Sequence, residues 1–151
     1  MLSILVVCTA NICRSPAAEV FLTHFLSSNR PKIGSAGTHA LSGNDVDKTI
    51  AELMQADGFS SITQHRSRPL SLADVSRCGL ILCMERRHIE HIKDFQPTAV
   101  GKTFLLGHWS GQMEVDDPFG STRDVYTSAL LIIKNFSEQW AQRIMELDLL
   151  L

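Results

Sequence analysis

The segment that most constrains this chain lies at its start. Ser3-Ile4-Leu5-Val6-Val7 is an unbroken, partly β-branched apolar run, and Cys8-Thr9-Ala10-Asn11-Ile12-Cys13-Arg14-Ser15-Pro16 follows it directly. A short apolar run that stops at small and polar residues reads as a strand buried on both faces of a parallel sheet. Pro16 fits a first helical turn, where its missing N–H has no intrahelical partner to lose. A helix is therefore expected from Pro16, with Ala17, Val20, Phe21, His24 and Phe25 at helical spacing and Ser27-Ser28-Asn29 and Pro31 as its stop.

The same alternation continues. Residues 32–36 read as a short second strand, and Asp45 as the N-cap of a helix carrying Val46, Ile50, Leu53 and Met54 and ended by Gly58. A polar stretch over 60–71 leads to a short helical turn. Residues 79–84 are the third buried strand, 85–95 a helix ending before Pro97, and 102–106 a fourth strand. Residues 107–123 show almost no periodicity, and a structureless loop of that length calls for a function. Tyr126, Ala129, Leu130, Ile133, Trp140, Ile144 and Leu147 form one stripe of a long closing helix. The class is α/β: a parallel sheet with helices on both faces and a ligand site beyond the C-terminal strand ends.

The chain's 151 residues, 44% of them apolar, suit one domain spanning 1–151. A formal charge of −2 argues against a nucleic-acid backbone or an anionic membrane as main partner. The first residues lack the basic flank of a secretion signal and no stretch approaches a membrane span, so a cytoplasmic location is expected. Four cysteines, at 8, 13, 78 and 83, are too few for a secreted disulfide scaffold. Cys78 and Cys83 have no histidine at a zinc-ligand spacing, so no metal is expected. His88 and His91 share a helical face without a third ligand and are read as solvated.

The chemistry concentrates in residues 8–16. A loop that wraps into a helix start turns its backbone N–H groups inward, and with the helix dipole these form a nest for a tetrahedral dianion. Thr9, Ala10, Asn11, Ile12, Cys13, Arg14 and Ser15 would supply that nest without a cofactor. Cys8 lies in the same positive field and is expected to ionise readily to a nucleophilic thiolate. Ser15 is placed to donate a hydrogen bond to the sulfur. Arg14 can hold two phosphoryl oxygens with a planar fork, and an arginine at a helix N-terminus opposes the dipole unless an anion sits nearby.

These residues carry a resemblance. Val6-Val7-Cys8, Asn11-Ile12-Cys13-Arg14-Ser15-Pro16 and Ala18-Glu19 resemble the low-molecular-weight protein tyrosine phosphatases. Ser35-Ala36-Gly37-Thr38, His65-Arg66-Ser67-Arg68, Ile81-Leu82-Cys83-Met84, Leu105-Leu106-Gly107-His108-Trp109 and Asp116-Asp117-Pro118-Phe119 follow in the family's order. The region from Gly107 to Asp117 looks most like bacterial members associated with exopolysaccharide export and tyrosine autokinases.

The resemblance implies a flavodoxin-like, three-layer αβα fold around a central four-stranded parallel sheet. It implies attack by Cys8, a cysteinyl-phosphate intermediate and hydrolysis by water. The residues alone leave Asp116 and Asp117 nearly equal as proton donor; the family's Asp-Pro dipeptide selects Asp117. Asn11, Ser15, Ser35 and His65 are implied as a hydrogen-bond network supporting the loop, and Cys13 as a redox partner that protects an oxidised Cys8, against a plain reading as a small buried filler. Leu41, Trp109 and Phe119 are candidates for the substrate entrance, with ordinary packing as the alternative for each. Where the family usually has glycine this chain has Ala10, which would cost about 1–2 kcal/mol if that residue takes positive φ. Phe119 replaces a tyrosine common among relatives, so regulation by phosphorylation there is lost.

The implied partner is a phosphotyrosine protein, with a tyrosine autokinase as the family-level candidate, met by a monomer or weak dimer. Three readings compete. An arsenate reductase would relay oxidation to Cys78 and Cys83, but Cys83 lies in an apolar strand. A phosphotyrosine-binding module, suggested by Ala10, is opposed by the retention of Cys8, Arg14 and Asp117 together, and a phosphocarrier has less need of the Arg14 clamp and the Asp117 acid.

Overall fold

The computed structural model describes residues 2–27 and 31–150, the side chains of 148–150 excepted. Four strands, β1 (Ser3–Cys8), β2 (Lys32–Gly37), β3 (Leu80–Cys83) and β4 (Thr103–Leu105), form one parallel sheet in the order β2-β1-β3-β4. Among the described residues five α-helices surround it: α1 (Arg14–Phe25), α2 (Lys48–Ala56), α3 (Leu72–Arg77), α4 (Arg86–Phe95) and α5 (Arg123–Leu150).

The apolar run at the chain start is central because it feeds two cores. Successive strand side chains point to opposite faces. Ile4 and Val6 pack with Phe21 and Leu22 of α1, Met54 of α2 and Ile133 and Trp140 of α5. Leu5 and Val7 pack with Val75 of α3 and Ile92 of α4 on the other face. The result is the three-layer α/β fold that the alternation implied, with β1 paired on both edges and Cys8 at its C-terminal end, where chain order reverses between β2 and β3.

Several boundaries differ from the sequence reading. α1 begins at Arg14, placing Pro16 inside the first turn; Ser28 and Asn29 of the expected stop lie outside the described residues. Asp47, not Asp45, caps α2, its carboxylate accepting from Thr49 N and Ile50 N at 2.9 and 3.1 Å. Asp45 instead pairs with Arg66 at 3.3 Å in solvent. The polar stretch after Gly58 holds a short 3-10 helix, Ser60–Gln64, and a second, Pro97–Lys102, precedes β4. Among the described residues no helix is long and apolar enough to cross a membrane.

Candidate active site

The loop after β1 is held by its most constrained residue. Asn11 is fully buried and takes φ +58°, a left-handed conformation that asparagine tolerates better than most residues. Its Nδ2 donates to Ser15 Oγ at 2.8 Å and Ser35 Oγ at 3.0 Å, and its Oδ1 accepts from Arg68 N at 3.0 Å. Its carbonyl accepts from His65 Nε2 at 2.7 Å, so that nitrogen carries the proton. Because Ser15 Oγ already accepts from Asn11, its own hydrogen is free to point at Cys8 Sγ, 2.9 Å away. Ala10 is not among the residues with positive φ, so the alanine brings none of the strain considered above.

The end of β2 closes on this loop. Thr38 N and His39 N donate to the Cys8 and Thr9 carbonyls, both at 2.9 Å. A Cβ at Gly37 would stand 2.4 Å from Thr9 O, so glycine is required there.

Arg14, 1% exposed, lies beside the loop. Its Nη1 donates to Glu85 Oε2 at 2.6 Å and to the Val115 carbonyl at 2.7 Å, leaving Nη2 and Nε for an anion. Burial alone pushes the Glu85 carboxyl up, but hydrogen bonds from Arg87 and Arg14 outweigh it and hold it down at about 2. Sequence reasoning missed this residue. Its signal was an acid placed just after the third strand, the neighbour of β1.

His88 is corrected from solvated to buried, at 1% exposure. Its Nδ1 accepts from Glu85 N at 3.1 Å, so a neutral ring carries its proton on Nε2, 2.9 Å from Thr9 Oγ1. Burial, reinforced by the Arg14 charge, pulls this imidazole down to about 4. Arg87 donates to the same Thr9 oxygen at 3.0 Å. His91 is half-buried, its ring against those of His39 and Phe95.

Cys8 to Arg14, Asp117 and Phe119 line one hollow of about 160 Å³. Asp117 Oδ2 stands 3.8 Å from Arg14 Nη2, and Asp116 is exposed outside the lining. Cys13, the N-cap residue of α1, is buried; burial together with Asp47, Asp117 and Cys8 drives its thiol strongly up, which keeps it protonated. Cys8 and Cys13 are both free thiols.

Two entrance candidates are not brought to the hollow. Trp109 packs edge-on against Trp140 of α5, beneath the Arg143 guanidinium, in a separate hollow with Leu2 and Gly79 at the far end of the sheet. The segment folds back after β4, Met113 N bonding to Gly107 O, and carries the indole away. Leu41 is 72% exposed on the loop after β2 and contributes no wall. Cys78 and Cys83 are buried, and burial pushes both thiols up. Among the described residues no group of three or more His, Cys, Asp or Glu side chains converges as a metal set.

A family model described as low molecular weight phosphotyrosine protein phosphatase matches residues 3–148. The chain belongs to that family. It is 38% identical over 141 residues to the low molecular weight protein-tyrosine-phosphatase Wzb of Salmonella typhimurium, covering 93% of each chain. The Wzb tyrosine phosphatase of Escherichia coli K30 in complex with sulphate superposes with a TM-score of 0.89 at 36% identity, over 95% of this chain and 99% of that one. The YwlE arginine phosphatase of Geobacillus stearothermophilus gives a TM-score of 0.92 at 28% identity, over 99% and 96%. This phosphatase-family enzyme therefore carries the Wzb-type fold over nearly its whole length.

Proposed function

We propose that the chain, acting as one domain, hydrolyses phosphotyrosine in proteins through a cysteinyl-phosphate. The observation that carries the proposal is the chain of bonds from Asn11 through Ser15 to Cys8, set in one hollow with Arg14 and Asp117.

Asn11 fixes the Ser15 hydroxyl so that it donates to the sulfur and stabilises the thiolate. A phosphoryl group enters the nest of residues 9–15, and Arg14 closes on it with Nη2 and Nε while Glu85 and Val115 hold Nη1. The Cys8 thiolate attacks phosphorus; an S–P bond forms, the P–O bond to the phenol breaks, and its electron pair leaves on oxygen. Asp117 gives that oxygen its proton. Water then attacks the phosphocysteine, Asp117 takes one of its protons, and the S–P bond returns its electrons to sulfur, releasing phosphate.

Ile12 and Phe119 give the hollow apolar walls, which suit an aryl leaving group. Once an external peroxide has oxidised the Cys8 thiolate to a sulfenic acid, Cys13 gives up its proton and attacks that sulfur, water leaves, and the resulting disulfide is reduced by external thiol. From the resemblance of the region Gly107 to Asp117 to bacterial members associated with exopolysaccharide export, the substrate is a tyrosine autokinase, met in the cytoplasm by a monomer or weak dimer.

The test is p-nitrophenol release from p-nitrophenyl phosphate in EDTA, comparing wild type, Cys8→Ser and the double variant Cys78→Ser/Cys83→Ser, with a phosphoarginine peptide as control substrate. Turnover lost in Cys8→Ser and kept in the double variant is the expected result. A wild type that ignores aryl phosphates but cleaves phosphoarginine, or one that oxidises thiols in the presence of arsenate, would overturn it.

A further inference from the structure

Tyr126 is the chain's one tyrosine and is 4% exposed. Its Oη donates to Asp47 Oδ2 at 2.9 Å and accepts from Gly120 N at 3.3 Å. Asp47 is committed on its other atoms as well. Its Oδ1 caps α2, and its N–H donates to the Ile12 carbonyl at 2.9 Å. A continuous path of hydrogen bonds therefore runs from the phosphate loop at Ile12, through Asp47 and Tyr126, to Gly120 just beyond Asp117.

The far end of that path is a small self-bonded turn. Phe119 N donates to Asp117 Oδ1 at 3.1 Å, Ser121 N donates to the Pro118 carbonyl at 2.9 Å, and Gly120 takes φ +77°. Upstream the turn is tied through Val115, whose N–H reaches Met84 and whose carbonyl takes Arg14. Downstream its tie is the Gly120 bond to Tyr126. Burial, with the bond to Asp47, pushes the Tyr126 phenol up to about 12, so it stays a donor to the carboxylate across the working pH range.

The geometry points to Tyr126 and Asp47 as positioning residues for the general acid: together they set the acid turn against the phosphate loop so that Asp117 reaches the leaving oxygen. This rests on the reading of Asp117 as proton donor. Neither residue touches the phosphoryl group, so the pair acts on protonation of the leaving group and not on phosphate binding.

Leaving-group dependence tests it. Tyr126→Phe removes one oxygen and keeps the ring, and Asp47→Ser keeps an acceptor for the α2 cap but is too short for the phenol. Values of kcat/KM are measured for phenyl, p-nitrophenyl and dinitrophenyl phosphates, with inhibition by inorganic phosphate and a melting curve for each variant, and with Asp117→Asn alongside. Each variant is expected to lose about 10-fold on phenyl phosphate and under about 2-fold on dinitrophenyl phosphate, with phosphate inhibition unchanged. A simple loss of folded protein lowers all three substrates equally. Equal losses across the series, or none, overturn the proposal while a steep Asp117→Asn series leaves the acid in place; a flat Asp117→Asn series removes the acid assignment and the tie with it.

Discussion

In the phosphate loop the buried Asn11 engages Ser15, Ser35, Arg68 and His65, whereas across the hollow the Asp117 side chain is 44% exposed and its carboxylate bonds within its own turn. The difference follows from what each loop must do. A dianion site works best when its dipoles are fixed before substrate arrives, because no reorganisation is then needed in the transition state. On the proposed reading Asp117 is a proton donor, which must meet a leaving oxygen that enters from solvent and must then admit water, and a loop with few ties suits that task. Charge follows the same division: Arg14 is fixed on one nitrogen by the Glu85 carboxylate and has its other nitrogens free toward the hollow.

Breaking the fixed side should cost most. Cys8→Ser is expected to lower turnover more than about 10⁴-fold while still binding vanadate, measured by competition. Arg14→Lys keeps the charge and loses the fork; a fall of roughly 10²–10³-fold in kcat/KM is expected, with Glu85 left to a point charge. Asp117→Asn, on the loosely tied side, should slow phenyl phosphate by about 10²-fold with a melting temperature near wild type. Asn11→Ala sharpens the contrast, because it leaves Ser15, Ser35 and Arg68 N without their partner and puts alanine at positive φ. A stability loss of about 2–4 kcal/mol in urea titration is expected, and unchanged stability would contradict the division drawn here.

The smallest effect is a pH dependence. His88 is held near 4 in the fold and returns to about 6.5 when unfolded, so the unfolded chain binds the extra proton between those values. Stability from this group is full above the unfolded pKa and is lost as pH falls from about 6.5 toward 4. His88→Asn keeps an acceptor for Glu85 N, gives up the Nε2 bond to Thr9 and removes the titrating group, so its urea midpoint should change less between pH 7 and pH 5 than that of the wild type.

What the sequence made legible were features carried by local pattern. The apolar run of β1, the small-residue loop and the order Cys8 to Arg14 place strand, nest and helix start within a few consecutive residues. Glu85 and His88 were not legible because their nearness to Thr9 and Arg14 arises from β3 pairing with β1, a fact of sheet order. Asp45 and Asp47 offer the same capping chemistry two residues apart. Packing decides between them, since Ile50 is wholly buried and a helix starting at Lys48 places Asp47 beneath the N–H groups of Thr49 and Ile50. Trp109 was misplaced because its position depends on the backbone folding back after β4, which no periodicity announces. The tie through Tyr126 leaves no mark in the sequence at all.

The central claim is that phosphate passes through the sulfur of Cys8. It is tested by quenching the enzyme in denaturant at mildly alkaline pH within milliseconds of mixing with p-nitrophenyl phosphate and mapping the phosphate adduct by peptide mass spectrometry at that pH. The account predicts a phosphate on the peptide containing Cys8 that survives mild alkali and is lost in mild acid, formed with a burst of p-nitrophenol and absent from Cys8→Ser. A phosphate on any other residue, or steady turnover by an enzyme that carries no adduct at any time, would contradict it.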